Sequence, residues 1–245
     1  MGGPAHMRAP DFWWRRPGLK ARLLQPLGAL YGALTARRMA RRGVCSALPV
    51  LCVGNFVAGG AGKTPFAIEI SRRLASLGEK PAFLTRGYGG SLKGPLLVGA
   101  EHMAGEVGDE ALLLARHAPT ILARSRVAGA KLAEAQGASV IVMDDGLQNP
   151  SLAKDCTFAL VDAETGVGNS LCLPAGPLRA PLDRQWPLVQ GLVVMGPAEA
   201  RPGEARRPDA RGGGDWREEG ASGRGEALQE VRRQARRRGL AVVMA

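Results

Sequence analysis

The chain has 245 residues, of which 45% are hydrophobic and 4% aromatic, and it carries a net charge of +11. This composition excludes a chain that is disordered throughout, because it supplies enough apolar surface for the core of one α/β domain. The positive charge favours phosphate-bearing partners, and the scarcity of aromatic side chains for base stacking argues against nucleic acid among them.

The first predicted element is a helix with basic flanks. In the range 12–42, leucines recur at helical spacing between arginines and lysines. Trp13 and Trp14 precede them, and this combination is typical of helices that lie on a membrane surface. A helix that packs on its own domain would show the same periodicity, so both interpretations stay open. We assign 1–43 to an N-terminal amphipathic membrane-surface helix.

Short apolar runs then alternate with helical segments, a pattern that predicts a parallel sheet with crossover helices. The predicted strands are 49–54, 81–85, 119–122, 139–143, 156–161 and 189–195. The predicted helices are 63–77, 106–117 and 125–136. Each helix is long enough to cross between two parallel strands. We therefore predict an α/β core over 44–196.

The composition changes after Gly196. The range 198–226 is dense in Gly, Arg and Glu and contains almost nothing that a core would bury, which predicts disorder. Residues 227–243 are compatible with one helix that has a short apolar end. We assign 197–245 as a whole to a divergent, disordered tail.

The strongest chemical signal is the glycine-rich loop between strand 49–54 and helix 63–77. In such a loop, backbone N–H groups and the helix N-terminus surround phosphate, a lysine reaches the terminal phosphates and a threonine hydroxyl binds magnesium. The predicted nucleotide-binding residues are Val57, Ala58, Gly59, Gly60, Ala61, Gly62, Lys63 and Thr64. The general P-loop pattern has glycine where this chain has Val57, and the other positions agree with it.

A pair of acidic residues, Asp144 and Asp145, follows the predicted strand 139–143. Carboxylates at the end of a buried strand beside a P-loop are where such folds hold magnesium. Alone, the sequence Asp-Asp-Gly would predict only a turn. Its combination with the P-loop favours a magnesium site.

A second acidic pair, Asp109 and Glu110, lies near the start of the predicted helix 106–117. By themselves these residues favour carboxylates that stabilise a helix N-terminus. A second interpretation gives Asp109 the task of accepting a proton from an attacking hydroxyl. Sequence physics alone favours the first interpretation.

Six motifs follow one another along the chain, namely VGNFVAGGAGKTP, RGYGG at 86–90, VGDEA at 107–111, SRV at 125–127, MDDGLQN at 143–149 and LPAGPLRAPL at 173–182. Their order and approximate spacing resemble those of tetraacyldisaccharide 4'-kinases, the ATP-dependent sugar kinases of lipid A biosynthesis. The N-terminal PDFWW and the basic helix also resemble this family, so the resemblance covers roughly 10–196. We expect an α/β, P-loop NTPase-like parallel sheet with crossover helices, preceded by the amphipathic helix.

The resemblance implies transfer of the ATP γ-phosphoryl group to the 4'-hydroxyl of tetraacyldisaccharide 1-phosphate, with Mg²⁺ as cofactor. It implies a peripheral location on the cytoplasmic face of the bacterial inner membrane, with ATP, this lipid and the membrane surface as partners and no nucleic acid. Asp109 resembles the family's catalytic carboxylate, with Glu110 supporting it and Arg126 neutralising phosphate charge. The implied magnesium ligands are Thr64, Asp144 and Asp145. Further candidates for the site are Asn55, Arg86 and Gln148.

The sequence departs from the family pattern in one respect. Members of the family continue into a second lobe with an Asp-His-His motif, whose histidine supports the catalytic carboxylate, whereas this chain has no histidine after His117. We therefore expect a truncated or frameshifted product with low or absent turnover and retained nucleotide binding. Two other hypotheses stay open, a non-catalytic nucleotide-binding remnant and a membrane-associated P-loop ATPase switch. Ala58 disfavours the switch, because those ATPases often have lysine there.

Overall fold

Residues 9–59, 62–196 and 231–244 are described by the computed structural model, and they form an eight-stranded sheet with helices on both faces. The strands are β1 (Val50–Asn55), β2 (Pro81–Thr85), β3 (Leu96–Leu97), β4 (Thr120–Leu122), β5 (Val140–Asp144), β6 (Cys156–Asp162), β7 (Gly191–Met195) and β8 (Ala241–Met244). The helices are α1 (Leu19–Met39), α2 (Lys63–Ser76), α3 (Ala104–Val107), α4 (Asp109–Ala115), α5 (Arg126–Ala135), α6 (Leu182–Gln185) and α7 (231–237). Short 3₁₀ helices cover Asp11–Trp14 and Trp186–Leu188.

The strand order is β3-β4-β2-β5-β1-β6-β7-β8, and every neighbouring pair is parallel except β3 with β4. The chain runs from β1 outward to β2 and β4, returns to β5, and continues on the other side of β1 with β6 and β7. The strand order therefore changes direction beside β1. In open α/β sheets, ligands bind at the carboxyl ends of the strands at such a point.

Alternate residues along each strand face the two helical layers. Val53 shares a buried cluster with Ala67 of α2, whereas its neighbour Cys52 shares one with Ala130 of α5. This alternation follows from the two-residue period of a strand. Because both faces are covered, the central strands are apolar almost throughout, as in other parallel sheets.

The predicted fold class is confirmed, with one helix divided. In place of a helix over 106–117, α3 ends at Val107 and α4 begins at Asp109. Gly108 between them has a φ of 86°, which a right-handed helix cannot contain. Strand β3 was not predicted, because two residues are too few to show a pattern.

Helix α1 packs on the domain through its small residues. The buried residues of this helix are Ala21, Gly28, Gly32, Thr35 and Met39. Its other side carries the leucine stripe, namely Leu19, Leu23, Leu27, Leu30 and Leu34, which are 55–75% exposed. A Cβ at Gly28 would lie only 2.7 Å from the carbonyl oxygen of Cys172, so glycine permits this close approach. The helix therefore packs on its own domain and still presents leucines outward.

Among the described residues, no helix combines the length and the hydropathy needed to cross a bilayer.

The last described segment, 231–244, corrects the assignment of 197–245 to a disordered tail. Helix α7 leads into β8, which pairs with β7, so the single helix considered for 227–243 also ends early. Val231 and Ala235 are buried in the core, and the indole N–H of Trp186 donates to the Gln234 side chain at 2.7 Å. Sequence patterns missed β8 because its partner β7 is distant in the chain. Residues 197–230 lie outside the described residues.

Candidate active site

The loop after β1 and the acidic residues at the end of β5 meet at one edge of the sheet. Strands β1 and β5 are parallel neighbours, with Val53 opposite Asp144, so their carboxyl ends lie together. The hydroxyl of Thr64 donates to Asp144 Oδ2 at 3.3 Å, and Lys63 Nζ lies 3.9 Å from Asp145 Oδ1. The structure thus brings four of the predicted site residues into one cluster.

Glycine shapes the loop that connects β1 to α2. Gly62, which immediately precedes α2, has a φ of 70°, a conformation that glycine adopts without strain. A Cβ there would also lie 2.8 Å from Cε of Met195. Lys63 Nζ donates to the carbonyl oxygen of Gly59 at 3.2 Å, which holds the ammonium group across the loop. The predicted loop residues outside the described part of the chain are Gly60 and Ala61.

Asp144 is the buried carboxylate of the β5 pair. It is 2% exposed, and its Oδ1 has no hydrogen-bond partner among the described residues. Burial raises the pKa of Asp144 to about 6, and the nearby carboxylates of Glu110 and Asp145 add to the increase. A buried carboxylate oxygen without a donor is satisfied by a cation. Asp144 and the Thr64 hydroxyl therefore fit Mg²⁺, which takes oxygen ligands and needs only one or two protein carboxylates in nucleotide sites.

Asp145 is bound by Arg179, which is not among the predicted site residues. Nη1 of Arg179 lies 2.8 and 2.9 Å from the two carboxylate oxygens of Asp145. The backbone of Asp145 has a φ of 55°, a conformation that is uncommon outside glycine and that aspartate and asparagine adopt more readily than most residues. The signal that identifies Arg179 in the sequence is its place in the motif LPAGPLRAPL, where a charged side chain among apolar residues needs a partner.

Residues 172–181, here called the strap, pair with the beginning of the phosphate loop. Val57 forms a β-bridge with Leu178, and the two side chains share a buried cluster. The N–H of Ala58 donates to the carbonyl oxygen of Pro177 at 2.7 Å. The predicted residues Val57 and Ala58 are thus held by the strap, and the valine at this position fills the core.

The second acidic pair opens α4. Asp109 and Glu110 are both exposed there, and Glu110 is near enough to Asp144 to raise the pKa of that residue. The RGYGG motif packs closely against the turn that precedes α4. A Cβ at Gly108, in this turn, would clash with the carbonyl oxygen of Tyr88. The structure therefore brings Glu110 toward the β5 carboxylates, with Asp109 in the same helical turn.

Arg126 is a buried cation at the start of α5. It is 2% exposed, its Nη1 donates to the carbonyl oxygen of Ala123 at 2.6 Å, and its Nε has no partner among the described residues. Burial lowers the pKa of Arg126, and the positive charge of Arg86 lowers it further. Arg86 itself is exposed. A guanidinium with an unused donor beside a second cation suits an anionic group.

Asn55 and Gln148 belong to a buried polar network behind the loop. Gln148 Nε2 donates to the carbonyl oxygen of Asn55 at 2.7 Å and to Gln185 Oε1 at 2.8 Å. Asn55 Nδ2 donates to the carbonyl oxygen of Gly59 at 3.0 Å, and its Oδ1 has no partner among the described residues. Asn55 therefore contacts the loop directly, whereas Gln148 connects β1 to α6. Gln185, which completes the network, was not predicted.

Comparisons with known proteins give consistent matches. The family model described as tetraacyldisaccharide-1-P 4'-kinase, LpxK, matches residues 20–244. The chain is 64% identical over 199 residues to the tetraacyldisaccharide 4'-kinase of Methylobacterium sp. (strain 4-46). This match covers 80% of this chain and 60% of that protein. It is 61% identical over 206 residues to the corresponding protein of Methylorubrum extorquens (strain PA1), covering 83% and 62%. The chain thus spans about three fifths of the length of these curated relatives.

The fold also resembles that of a solved structure over most of the chain. LpxK from Aquifex aeolicus, determined in complex with ATP, aligns with a TM-score of 0.63 and 28% identity, covering 71% of this chain and 58% of that chain. The family match extends past Gly196. The expected end of the resemblance at 196 is therefore wrong.

Proposed function

The chain belongs to the tetraacyldisaccharide-1-P 4'-kinase family, and on that basis we propose that it transfers the γ-phosphoryl group of ATP to the 4'-hydroxyl of a tetraacyldisaccharide 1-phosphate. The observation that carries this proposal is the contact between Thr64 and Asp144, with Lys63 in the same cluster. A phosphate loop and a strand-end carboxylate that meet in this way are the parts that P-loop enzymes use to bind a metal-bound triphosphate.

The nucleotide's phosphates would lie against the loop between β1 and α2. Lys63 and the N-terminus of α2 supply positive charge there, because unpaired N–H groups of the first helical turn point toward the loop. Thr64 and Asp144 would hold Mg²⁺, which when bound neutralises charge on the β- and γ-phosphates. Asn55 supports the loop through its hydrogen bond to Gly59.

In the transfer step, the 4'-hydroxyl oxygen forms a bond to the γ-phosphorus while the bond from that phosphorus to the oxygen of ADP breaks. Asp109 would accept the hydroxyl proton. Glu110 beside it would add a second negative charge on the side of the site where the lipid hydroxyl binds. Arg126 would stabilise negative charge that shifts during transfer, since its Nε is an unused donor among the described residues. All three lie on segments that begin at the carboxyl edge of the sheet.

A transfer assay with radiolabelled ATP and the lipid disaccharide tests this proposal on the full chain. Lys63→Ala should weaken ATP binding by at least about tenfold, because the lysine charge contacts the phosphates. Asp109→Asn should leave ATP affinity nearly unchanged and reduce transfer by about 10²–10⁴-fold, the range for a lost general base. Matched controls are Lys80→Ala and Asp183→Asn, two exposed positions.

The same assay separates the proposed kinase from its alternatives. Phosphorylated lipid from the wild-type chain supports the kinase. ATP hydrolysis without lipid product would indicate an ATPase switch, and ATP binding without either reaction would indicate a nucleotide-binding remnant. Equal transfer by the wild type and Asp109→Asn would remove Asp109 from the mechanism.

We further propose that α1 holds the protein on the cytoplasmic face of the inner membrane. A substrate with four acyl chains stays in the bilayer, so a kinase must act at the bilayer surface. The leucine stripe of α1 is exposed, and Lys20, Arg22, Arg37 and Arg38 on the same helix suit anionic headgroups. Because the phosphoryl donor is ATP, we expect the kinase to act on the cytoplasmic side of this membrane.

A further inference from the structure

We propose that Arg179 is a positioning residue of the phosphate site. By binding Asp145 at 2.8 Å, it compensates the charge of that carboxylate and leaves the ammonium of Lys63, 3.9 Å from the same oxygen, available to the phosphates of a nucleotide. This inference rests on the proposed function only in taking Lys63 as a phosphate-binding residue.

The guanidinium of Arg179 is fixed by three short contacts. Nη1 lies 2.8 and 2.9 Å from the two oxygens of Asp145, and Nε donates to the carbonyl oxygen of Val57 at 3.0 Å. Charge-assisted contacts of this kind are short and directional. One side chain therefore connects the carboxylate at the end of β5 to the beginning of the phosphate loop.

Lys63 and Arg179 both lie near the same carboxylate oxygen of Asp145, Oδ1. Arg179 lies 2.8 Å from Oδ1, whereas Lys63 Nζ lies 3.9 Å from it and donates to the carbonyl oxygen of Gly59 instead. Without the arginine, an uncompensated carboxylate would remain beside the ammonium in a partly buried site, where opposite charges attract strongly. The flexible lysine stem allows Nζ to close this distance. Lys63 would then pair with Asp145 at the expense of phosphate.

The backbone of Arg179 is anchored independently of its side chain. Its N–H donates to the carbonyl oxygen of Phe56 at 2.9 Å, and the carbonyl oxygen of Pro177, two residues earlier, accepts from the N–H of Ala58. A substitution that removes only the guanidinium therefore leaves the pairing of strap and loop in place. This separates the effect of charge from a general loosening of the loop.

Binding of a fluorescent ATP analogue in the presence of Mg²⁺ tests the proposal with four variants of the full chain. Arg179→Gln should raise the dissociation constant about tenfold, because Lys63 pairs with the liberated carboxylate. Adding Asp145→Asn to this variant should restore the affinity to within about threefold of the Asp145→Asn single variant, since asparagine tolerates the left-handed backbone and carries no charge. Arg184→Gln, an exposed arginine shortly after the strap, should bind like the wild type.

A loop that was merely damaged would not be repaired by the second substitution, so the rescue is specific to charge competition. A double variant as weak as Arg179→Gln would overturn the proposal, as would wild-type affinity in Arg179→Gln. Should Arg179→Gln fail to fold, Arg179→Lys loses the hydrogen bond to Val57 but keeps a cation beside Asp145, and it should bind within about threefold of the wild type because the carboxylate stays compensated. A tenfold loss there would count equally against the proposal. Absence of lipid phosphorylation together with an intact rescue would refute the proposed kinase activity and leave this inference standing, whereas no binding by the wild type would refute both.

Discussion

Asp144 sits in surroundings that disfavour its charge. Burial raises its pKa from 3.8 to about 6, which corresponds to about 3 kcal/mol of unfavourable free energy for the ionised group. The folded state holds the proton more tightly than the unfolded state does. The free energy of unfolding of the metal-free protein therefore decreases as the pH rises from about 4 to about 6, and this contribution is constant above that range.

Asp144→Asn should consequently stabilise the metal-free protein. At pH 7.5 in EDTA, we expect a gain of about 1–3 kcal/mol in the free energy of unfolding, because a neutral amide replaces a buried carboxylate whose Oδ1 has no hydrogen-bond partner among the described residues. The gain should disappear near pH 4, where Asp144 is protonated. Urea unfolding at both pH values measures this, with the exposed Asp183→Asn as control.

Addition of Mg²⁺ and ATP provides the complementary measurement. The ligands should raise the unfolding free energy of the wild type, since binding to the native state alone stabilises it. Asp144→Asn should lose most of this increase. A variant that is less stable than the wild type in EDTA, or that keeps the full response to ligand, would contradict the assignment of Asp144 as the metal carboxylate.

Among the helices and strands, α1 offers the clearest test, because its exposed leucine stripe should determine how strongly the protein binds to vesicles. Replacing Leu23, Leu27 and Leu30 by serine should reduce co-sedimentation with anionic vesicles by at least about tenfold, because each leucine contributes apolar area to an interface. The thermal midpoint should stay unchanged, since these side chains are exposed in the structure. Leu77→Ser removes a leucine at the end of α2 that is more exposed than these three, and this variant should bind vesicles like the wild type.

The vesicle experiment decides between the two interpretations that the periodicity left open. Undiminished binding by the triple variant would show that the stripe has no part in membrane contact. A lower thermal midpoint would show that the leucines support the fold instead.

Sequence patterns predicted the elements whose signal is local. Strand β5 and helix α2 could be placed because their apolar periods and their neighbouring Asp-Asp and Gly-Lys-Thr sequences lie within a few residues of each other. The strand β3 pairs with β4 across 22 residues or more of intervening chain, and no local pattern records such a partner. The break at Gly108 depends on a single φ value, which glycine permits but does not require.

In the candidate site, too, the residues that belong to local motifs could be predicted, whereas a residue whose partners are distant in sequence could not. Lys63, Thr64 and Asp144 belong to motifs with a known spatial relation in P-loop folds, and the structure brings them together. Arg179 was missed because its role comes from Val57 and Asp145, which are far from it in sequence. For α1, the helical period was visible, but the side on which it packs depends on how closely Cys172 approaches its glycines.

For the whole molecule, the segment 231–244 extends the sheet beyond the boundary that composition suggested. Val231→Asp should lower the free energy of unfolding by about 3 kcal/mol or more, because it removes buried apolar area and places a charge in the core. Arg237→Asp, at an exposed position of the same helix, should have little effect. Thermal unfolding of the full chain measures both, and equal midpoints for Val231→Asp and the wild type would show that α7 is not docked in solution.

The packing of α1 on the strap has a practical consequence for the design of shortened forms of the protein. The small face of the helix covers Cys172, Ala175 and Pro181, and the same segment continues to Arg179 at the phosphate loop. Deleting the helix would therefore uncover the strap and disturb the nucleotide pocket. A form suited to crystallisation or inhibitor screening should keep the helix and replace only its outward leucines with polar residues.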